Sequence, residues 1–203
     1  MTARRTQEQR RAETIGKLLN ATIHCLAELG YARTSTHQIC RRAGVSQGAM
    51  FNHFSSRLEV VVATTELICE RHIGRMTRPL DGIGEDQVSV MIQIIRQASR
   101  THEHAAWHEV MVAARTDDAL RPLVRGILAR FERAVLAMTQ NVLSLDAAGA
   151  ARIGVVVLSL MHMFDSEAVT VKVHPNPEIE ALRARWATSL LRNELESICQ
   201  DLV

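Results

Sequence analysis

Between Thr34 and Phe54 four residues, Gln47, Gly48, Asn52 and His53, make a short row of small and hydrogen-bonding groups. A carboxamide sets a donor beside an acceptor, the pattern that fits the adenine edge in a major groove, so Gln47 and Asn52 can each make a two-point base contact. Such a row works only if a rigid element presents it. The intervening residues supply one: Ile39 and Ala43 fall four apart on a first short helix, Gly44 marks a tight turn and Val45 plugs it. Ser46 can cap the next helix, whose apolar face is carried by Met50 and Phe54. Two short helices joined in this way form a helix-turn-helix that places its second helix against DNA.

Charge is distributed to match. Residues 1–57 hold nine Arg or Lys against three acids, a net of +6, and since the chain of 203 residues carries +2, the remainder carries about −4. A basic front and an acidic rear suit a protein that meets a polyanion at one end. Arg4, Arg5, Arg10 and Arg11 can reach phosphates or a minor groove, or serve as a solvated tail, while Arg41 and Arg42 also suit the negative end of their own helix.

The segment resembles the DNA-binding part of the TetR family of bacterial transcriptional regulators (TetR/AcrR-like) over roughly residues 10–65. Gly30-Tyr31, Thr34 to Ile39, Ala43-Gly44-Val45-Ser46, Gly48, Phe51-Asn52-His53-Phe54 and Ser56-Arg57 with Glu59 carry the resemblance. It implies that Gln47, Gly48, Ala49, Asn52 and His53 face DNA, Ala49 offering a methyl to thymine, and that Thr36 and His37 touch backbone or base edges. The family pattern has Ala where this chain has Cys40, Tyr where it has Phe51, and Lys where it has Arg57. Phe51 therefore loses a phosphate hydrogen bond but can stack on sugar or pack inside, and Arg57 keeps a charge for phosphate.

Elsewhere every periodic stretch has the helical period. Helices are expected over 10–29, from Ser35 or Thr36 to 43, from Ser46, and from a Ser56–Glu59 capping box to about 75. Further helices are expected over 87–100, 103–115, 117–143, 146–171 and 178–202. The breakers in Arg78 to Gly84 place a joint there. The expected fold is all-α: residues 1–56 are an N-terminal arm and three-helix DNA-binding domain, 57–78 a connecting fourth helix, and 79–203 a helical effector-binding and dimerisation domain. Pro122 is tolerable only in the first turn of its helix, and the Val155–Val157 run reads as buried helix rather than strand.

Two half-sites one DNA turn apart square the discrimination of one short helix, so a homodimer on palindromic double-stranded operator DNA is expected. The resemblance implies that the last two helices pair with their mates. Val156, Leu160, Leu182, Trp186 and Leu190 are the interface candidates, with Trp186 the preferred anchor. Met91, Trp107, Met111, Phe131, Met138, Met161, Phe164 and Asp165 lie where the family encloses an effector. Methionine and aromatic side chains would suit a small apolar or weakly polar guest, although for each residue taken singly plain core is the preferred reading.

His104 and His108 are four apart on one helix, a spacing that can chelate metal with His162 and Asp165, yet the full zinc-hydrolase signature is missing. They are read as surface and core histidines, and neither metal nor cofactor is assigned. No nucleophile, base and orienter fall into a catalytic pattern, so the chain is not expected to be an enzyme. Cys25, Cys40, Cys69 and Cys199 lack paired spacing and read as inert thiols. The apolar run Ile153 to Met161 is short for a bilayer span, residues 10–29 lack the Trp or Phe of a membrane-surface helix, and the start shows no apolar signal. The expectation is a cytoplasmic, ligand-responsive DNA-binding regulator, a repressor released by its effector. The alternatives are a constitutive DNA binder and an activator.

Overall fold

The computed structural model describes residues 6–76, 87–143 and 146–201. The expected joint at 78–84, Arg4 and Arg5, and the side chain of Cys199 lie outside the described residues. In chain order the helices are α1 (Gln7–Leu29), α2 (Thr36–Ala43), α3 (Gln47–Phe51), α4 (Arg57–Met76), α5 (Gln87–Ala98), α6 (His102–Ala114), α7 (Arg121–Leu143), α8 (Ala147–Thr170) and α9 (Pro177–Asp201). Among the described residues there is no strand.

Several ends differ from the sequence reading, each for a local reason. Helix α1 begins at Gln7 rather than at residue 10, because Thr6 and Gln9 exchange side-chain and backbone bonds in a complete capping box. Arg10 and Arg11 therefore ride on a helix and not on a free arm. At α4 the Ser56 hydroxyl accepts from Glu59 N–H as expected. The return bond goes one residue further back, where the Glu59 carboxylate accepts from both the N–H and the hydroxyl of Ser55 at 2.6 Å. Helix α7 starts at Arg121 instead of 117, because the Asp117 carboxylate takes the N–H groups of Ala119 and Leu120 and holds a turn there. Pro122 thus lands in the first turn, where its missing N–H costs nothing.

By packing, the chain forms two compact units. The first comprises residues 1–71 and 102–128, so α6 and the first part of α7 group with the head. Within it α1 packs on α2 and α6, and α2 on α3. Leu18, Ala21, Cys25, Ile39, Cys40, Met50, Phe54 and Val60 form its head core, with Ala43 and Val45 at the margin. Cys40 sits with its sulfur 3.5 Å from that of Met50, so a thiol fills the place of the family's alanine. Cys25, Cys40 and Cys69 are buried.

The second unit comprises residues 72–101 and 129–203, in which α5, α8 and α9 pack on one another. Ile153, Val157, Leu160 and Phe164 line the buried side of α8. Gly154 lets α7 approach, since a Cβ there would stand 2.3 Å from the Leu136 side chain. Among the described residues α8 alone is long and apolar enough to cross a membrane by length and composition. Here it is a core helix, and it also buries Glu167. That carboxylate binds Arg96 at 2.6 Å, Arg183 at 2.7 Å and Arg100 at 2.9 Å, tying α5, α8 and α9 together.

Candidate nucleic-acid interface

Helix α2 opens where the Ser35 hydroxyl accepts from Gln38 N–H, and it closes on Gly44 at φ 67°, ψ 34°. This left-handed conformation favours glycine and turns the chain sharply. Val45 N–H returns to the Cys40 carbonyl at 3.1 Å, and the Ser46 hydroxyl caps α3 by accepting from Ala49 N–H at 3.1 Å. Helix α3 is only five residues long, and Asn52 is its C-cap. Its inward side is anchored by fully buried Met50 and by Phe54.

Everything on the other side is outward. Gln47, Gly48 and Asn52 are exposed, Ala49 is half-buried, and Phe51 is 48% exposed. On α2, His37 is exposed and Thr36 half-buried. Of the expected row, Gln47 and Gly48 are presented to solvent on α3 and Asn52 at its C-cap, while His53 follows the helix and is half-buried.

Beside it lies an open cleft of about 530 Å³ lined by Gln7, Arg10, Arg11, Thr14, Asn52 and His53. Two guanidinium side chains, a hydroxyl and two carboxamides border it. His53 keeps Nδ1 shielded from solvent with no hydrogen-bond partner among the described residues. Such a wall offers hydrogen-bond donors and positive charge to an anionic backbone. The start of α1 and the end of α3 thus border one cleft, a juxtaposition that the linear pattern hides.

Arg57 has a different environment from the one its position in the chain suggests. Its Nε donates to the Thr34 carbonyl and one Nη to the Tyr31 carbonyl. The guanidinium also stacks 4.1 Å from the Tyr31 ring centroid. Tyr31 in turn donates its hydroxyl to Asp117 at 3.0 Å and its N–H to Glu109 at 3.3 Å. Burial and the acceptor Asp117 push the Tyr31 hydroxyl pKa up, and the N–H of Leu120 followed by the Tyr31 hydroxyl hold Asp117 low. The α1–α2 loop is thereby clamped to α4 and to the α6–α7 turn. Tyr31 is the chain's single tyrosine, the one signal in the sequence that could have drawn attention to this clamp. Arg42 is likewise committed, making paired bonds of 2.7 and 2.8 Å to Glu28.

The remaining expected residues fall in both units. Trp107 and Met111 lie on α6 in the first, with Trp107 buried. Met91, Phe131, Met138, Met161, Phe164 and Asp165 belong to the second, where Phe131 and Phe164 are buried and the others half-buried. His104 and His108 are on α6, and His162 and Asp165 on α8. Of the interface candidates, Leu182 and Trp186 stand 52% and 55% exposed, and Val156 and Leu190 are half-buried. Leu160 differs. At 1% exposure it has no surface to offer and belongs to the core of its own unit. Val155, Val169 and Ile179 are exposed apolar residues on the same two helices.

Residues 18–64 match the family model described as bacterial regulatory proteins, tetR family. The HTH-type transcriptional regulator Rv2912c of Mycobacterium tuberculosis is 33% identical over 189 residues, covering 92% of this chain and 97% of that protein. HTH-type transcriptional regulator CymR of Pseudomonas putida is 34% identical over 120 residues, 58% of this chain and 59% of its own. Among solved structures, Salmonella enterica GusR superposes with a TM-score of 0.67 at 19% identity over 94% of this chain and 98% of that one. The multidrug binding protein EbrR complexed with imidazole gives 0.62 at 17%, over 89% and 93%.

Proposed function

Because the chain belongs to the TetR family of bacterial regulatory proteins, a family of transcriptional regulators and not enzymes, we propose that it reads operator DNA with α3. The observation that carries this is the row of exposed Gln47, Gly48 and Asn52, with half-buried Ala49 between them, on a helix whose other side is locked by Met50 and Phe54. In this reading Gln47 and Asn52 touch base edges, and Gly48 lets the backbone approach. Thr36, His37, Phe51 and His53, with Arg10 and Arg11 across the cleft, engage the sugar-phosphate chain. The protein works in the cytoplasm as a homodimer on palindromic DNA, its two α3 helices about 34–36 Å apart. The apolar surface of Leu182 and Trp186 supports pairing through α8 and α9.

The regulator responds to a small apolar or weakly polar effector taken up in the second unit among Met91, Phe131, Met138, Met161, Phe164 and Asp165, while Trp107 and Met111, expected beside them from the sequence, belong to the first. Support comes from their methionine-rich character and from the family relationship, in which one structural relative is a multidrug binding protein. The fourth helix, at 56–75, transmits the change to the DNA-binding head. An effector that favours the wrong head spacing lowers DNA affinity by the factor by which DNA lowers its own, so its arrival releases a repressor.

Selection from a random duplex library followed by titration over several salt concentrations tests the reading. Gln47→Ala and Asn52→Ala should each cost about 1–3 kcal/mol of discrimination at one operator position while leaving non-specific binding in place. Unchanged preference in both variants would remove the base-reading role. Sequence-specific binding that no member of an apolar compound library displaces would leave a constitutive regulator.

A further inference from the structure

His24 and Glu28 lie four residues apart on one face of α1, with Nδ1 3.7 Å from the carboxylate. Helix α6, packed along α1, begins at His102 and brings that ring to a centroid distance of 5.2 Å from His24, tilted by 49°. One ligand atom from each of the three side chains lies within 4.8 Å of the other two. All three side chains are exposed and on helices whose backbones are held by the first unit's own packing.

We infer that His24, Glu28 and His102 bind a divalent transition-metal cation of the zinc type. Two imidazoles and one carboxylate are borderline ligands suited to Zn²⁺, Co²⁺ or Ni²⁺. Mg²⁺ and Ca²⁺ demand oxygen ligands, and Cu⁺ prefers sulfur. Tetrahedral zinc with bonds of about 2.0–2.1 Å needs ligand atoms about 3.4 Å apart, so the trio must close by roughly 1.4 Å. Exposed side chains achieve that by small rotations about χ1 and χ2, with α1 and α6 unmoved. Three protein ligands leave a fourth position for water.

Occupancy has a consequence inside the head. Both Glu28 oxygens are bonded to Arg42 in the last turn of α2. A cation that takes one of these oxygens leaves Arg42 a single bond to Glu28 and joins α1 to α6 directly. This link lies outside the α3 surface, so it stands apart from base reading.

The test uses the full chain without a polyhistidine tag, freed of metal, titrated calorimetrically with Zn²⁺ and, by visible absorption, with Co²⁺. One Zn²⁺ per chain should bind with a dissociation constant of about 10 µM or tighter, and bound Co²⁺ should show d–d bands without a thiolate charge-transfer band. His24→Ala and His102→Ala should each weaken Zn²⁺ by at least about tenfold with helical content intact, while His174→Ala, at an exposed histidine between α8 and α9, leaves Zn²⁺ affinity unchanged. In the unmutated chain Zn²⁺ should also shield His24 and His102 from diethyl pyrocarbonate, read by mass spectrometry. No stoichiometric binding up to about 100 µM Zn²⁺ would overturn the site. Equal affinity in both alanine variants, or modification of both histidines despite saturating metal, would overturn it as well.

Discussion

Arg57 illustrates how a charge can be legible in sequence while its employment is not. Chain position suggests a cation free to meet phosphate. In the fold, two faces of its fork are spent on the carbonyls of Tyr31 and Thr34 and its plane on the Tyr31 ring. Hydrogen bonds from a charged donor are worth about 1.5–3 kcal/mol each where burial is partial, so Arg57→Ala should lower unfolding stability by about 2 kcal/mol. Arg57→Lys should recover the charge but little of that stability, because an ammonium has neither the fork nor the stacking plane. Urea denaturation beside a salt titration of DNA binding separates the two roles. A lowered salt slope with unchanged stability would make phosphate the chief partner of Arg57.

At the scale of elements, α5, α8 and α9 are joined by charge as well as by apolar packing. Burial pushes the Glu167 pKa up, but Arg96, Arg183 and Arg100 outweigh it and hold the carboxyl below its ordinary range. A depressed folded pKa means that the stabilisation is complete above the unfolded carboxylate pKa of about 4.3 and is lost as pH falls through the folded value. Thermal unfolding followed from pH 7 to pH 3 should therefore show a loss beginning near pH 4.3. Glu167→Gln, which leaves three guanidinium groups around a neutral amide, should cost on the order of 3 kcal/mol at pH 7 and flatten this acid limb. An acid limb of the same size in the variant would assign it to other carboxylates. Elements also fail or hold by their ends: the Val155–Val157 run stays helical because Asp146 caps α8 and the helix is buried along one side.

For the whole molecule the decisive surface is the outer side of α8 and α9. Leu182 and Trp186 are more than half exposed on a chain that buries its other tryptophan. Sedimentation equilibrium at micromolar concentration should give a dimer, and a Leu182→Glu, Trp186→Glu double variant should sediment as a monomer of 22.6 kDa with unchanged helical content. Operator affinity should fall with it, since two half-sites no longer share one ligand. A dimer that survives the double substitution would move the interface elsewhere, and a monomeric parent would end the two-half-site arrangement.

What the sequence determined by itself was local. The helical period, Gly44 at the turn, the Ser46 cap and the Met50 and Phe54 anchors are set by neighbours within four residues, so α2, α3 and their outward row could be read directly. The Thr6–Gln9 capping box and the Asp117 turn are equally local, and they set the starts of α1 and α7 at Gln7 and Arg121 rather than at residues 10 and 117. Tertiary structure alone decided which residues distant in the chain come together: Arg57 with Tyr31, Arg10 and Arg11 around one cleft with His53, Glu167 with three arginines, and His24 with His102. It also decided that Leu160 is core while Trp186 is surface. An apolar stripe records that a helix buries a face, but the identity of the covering neighbour follows from three-dimensional packing, which no spacing along the chain encodes.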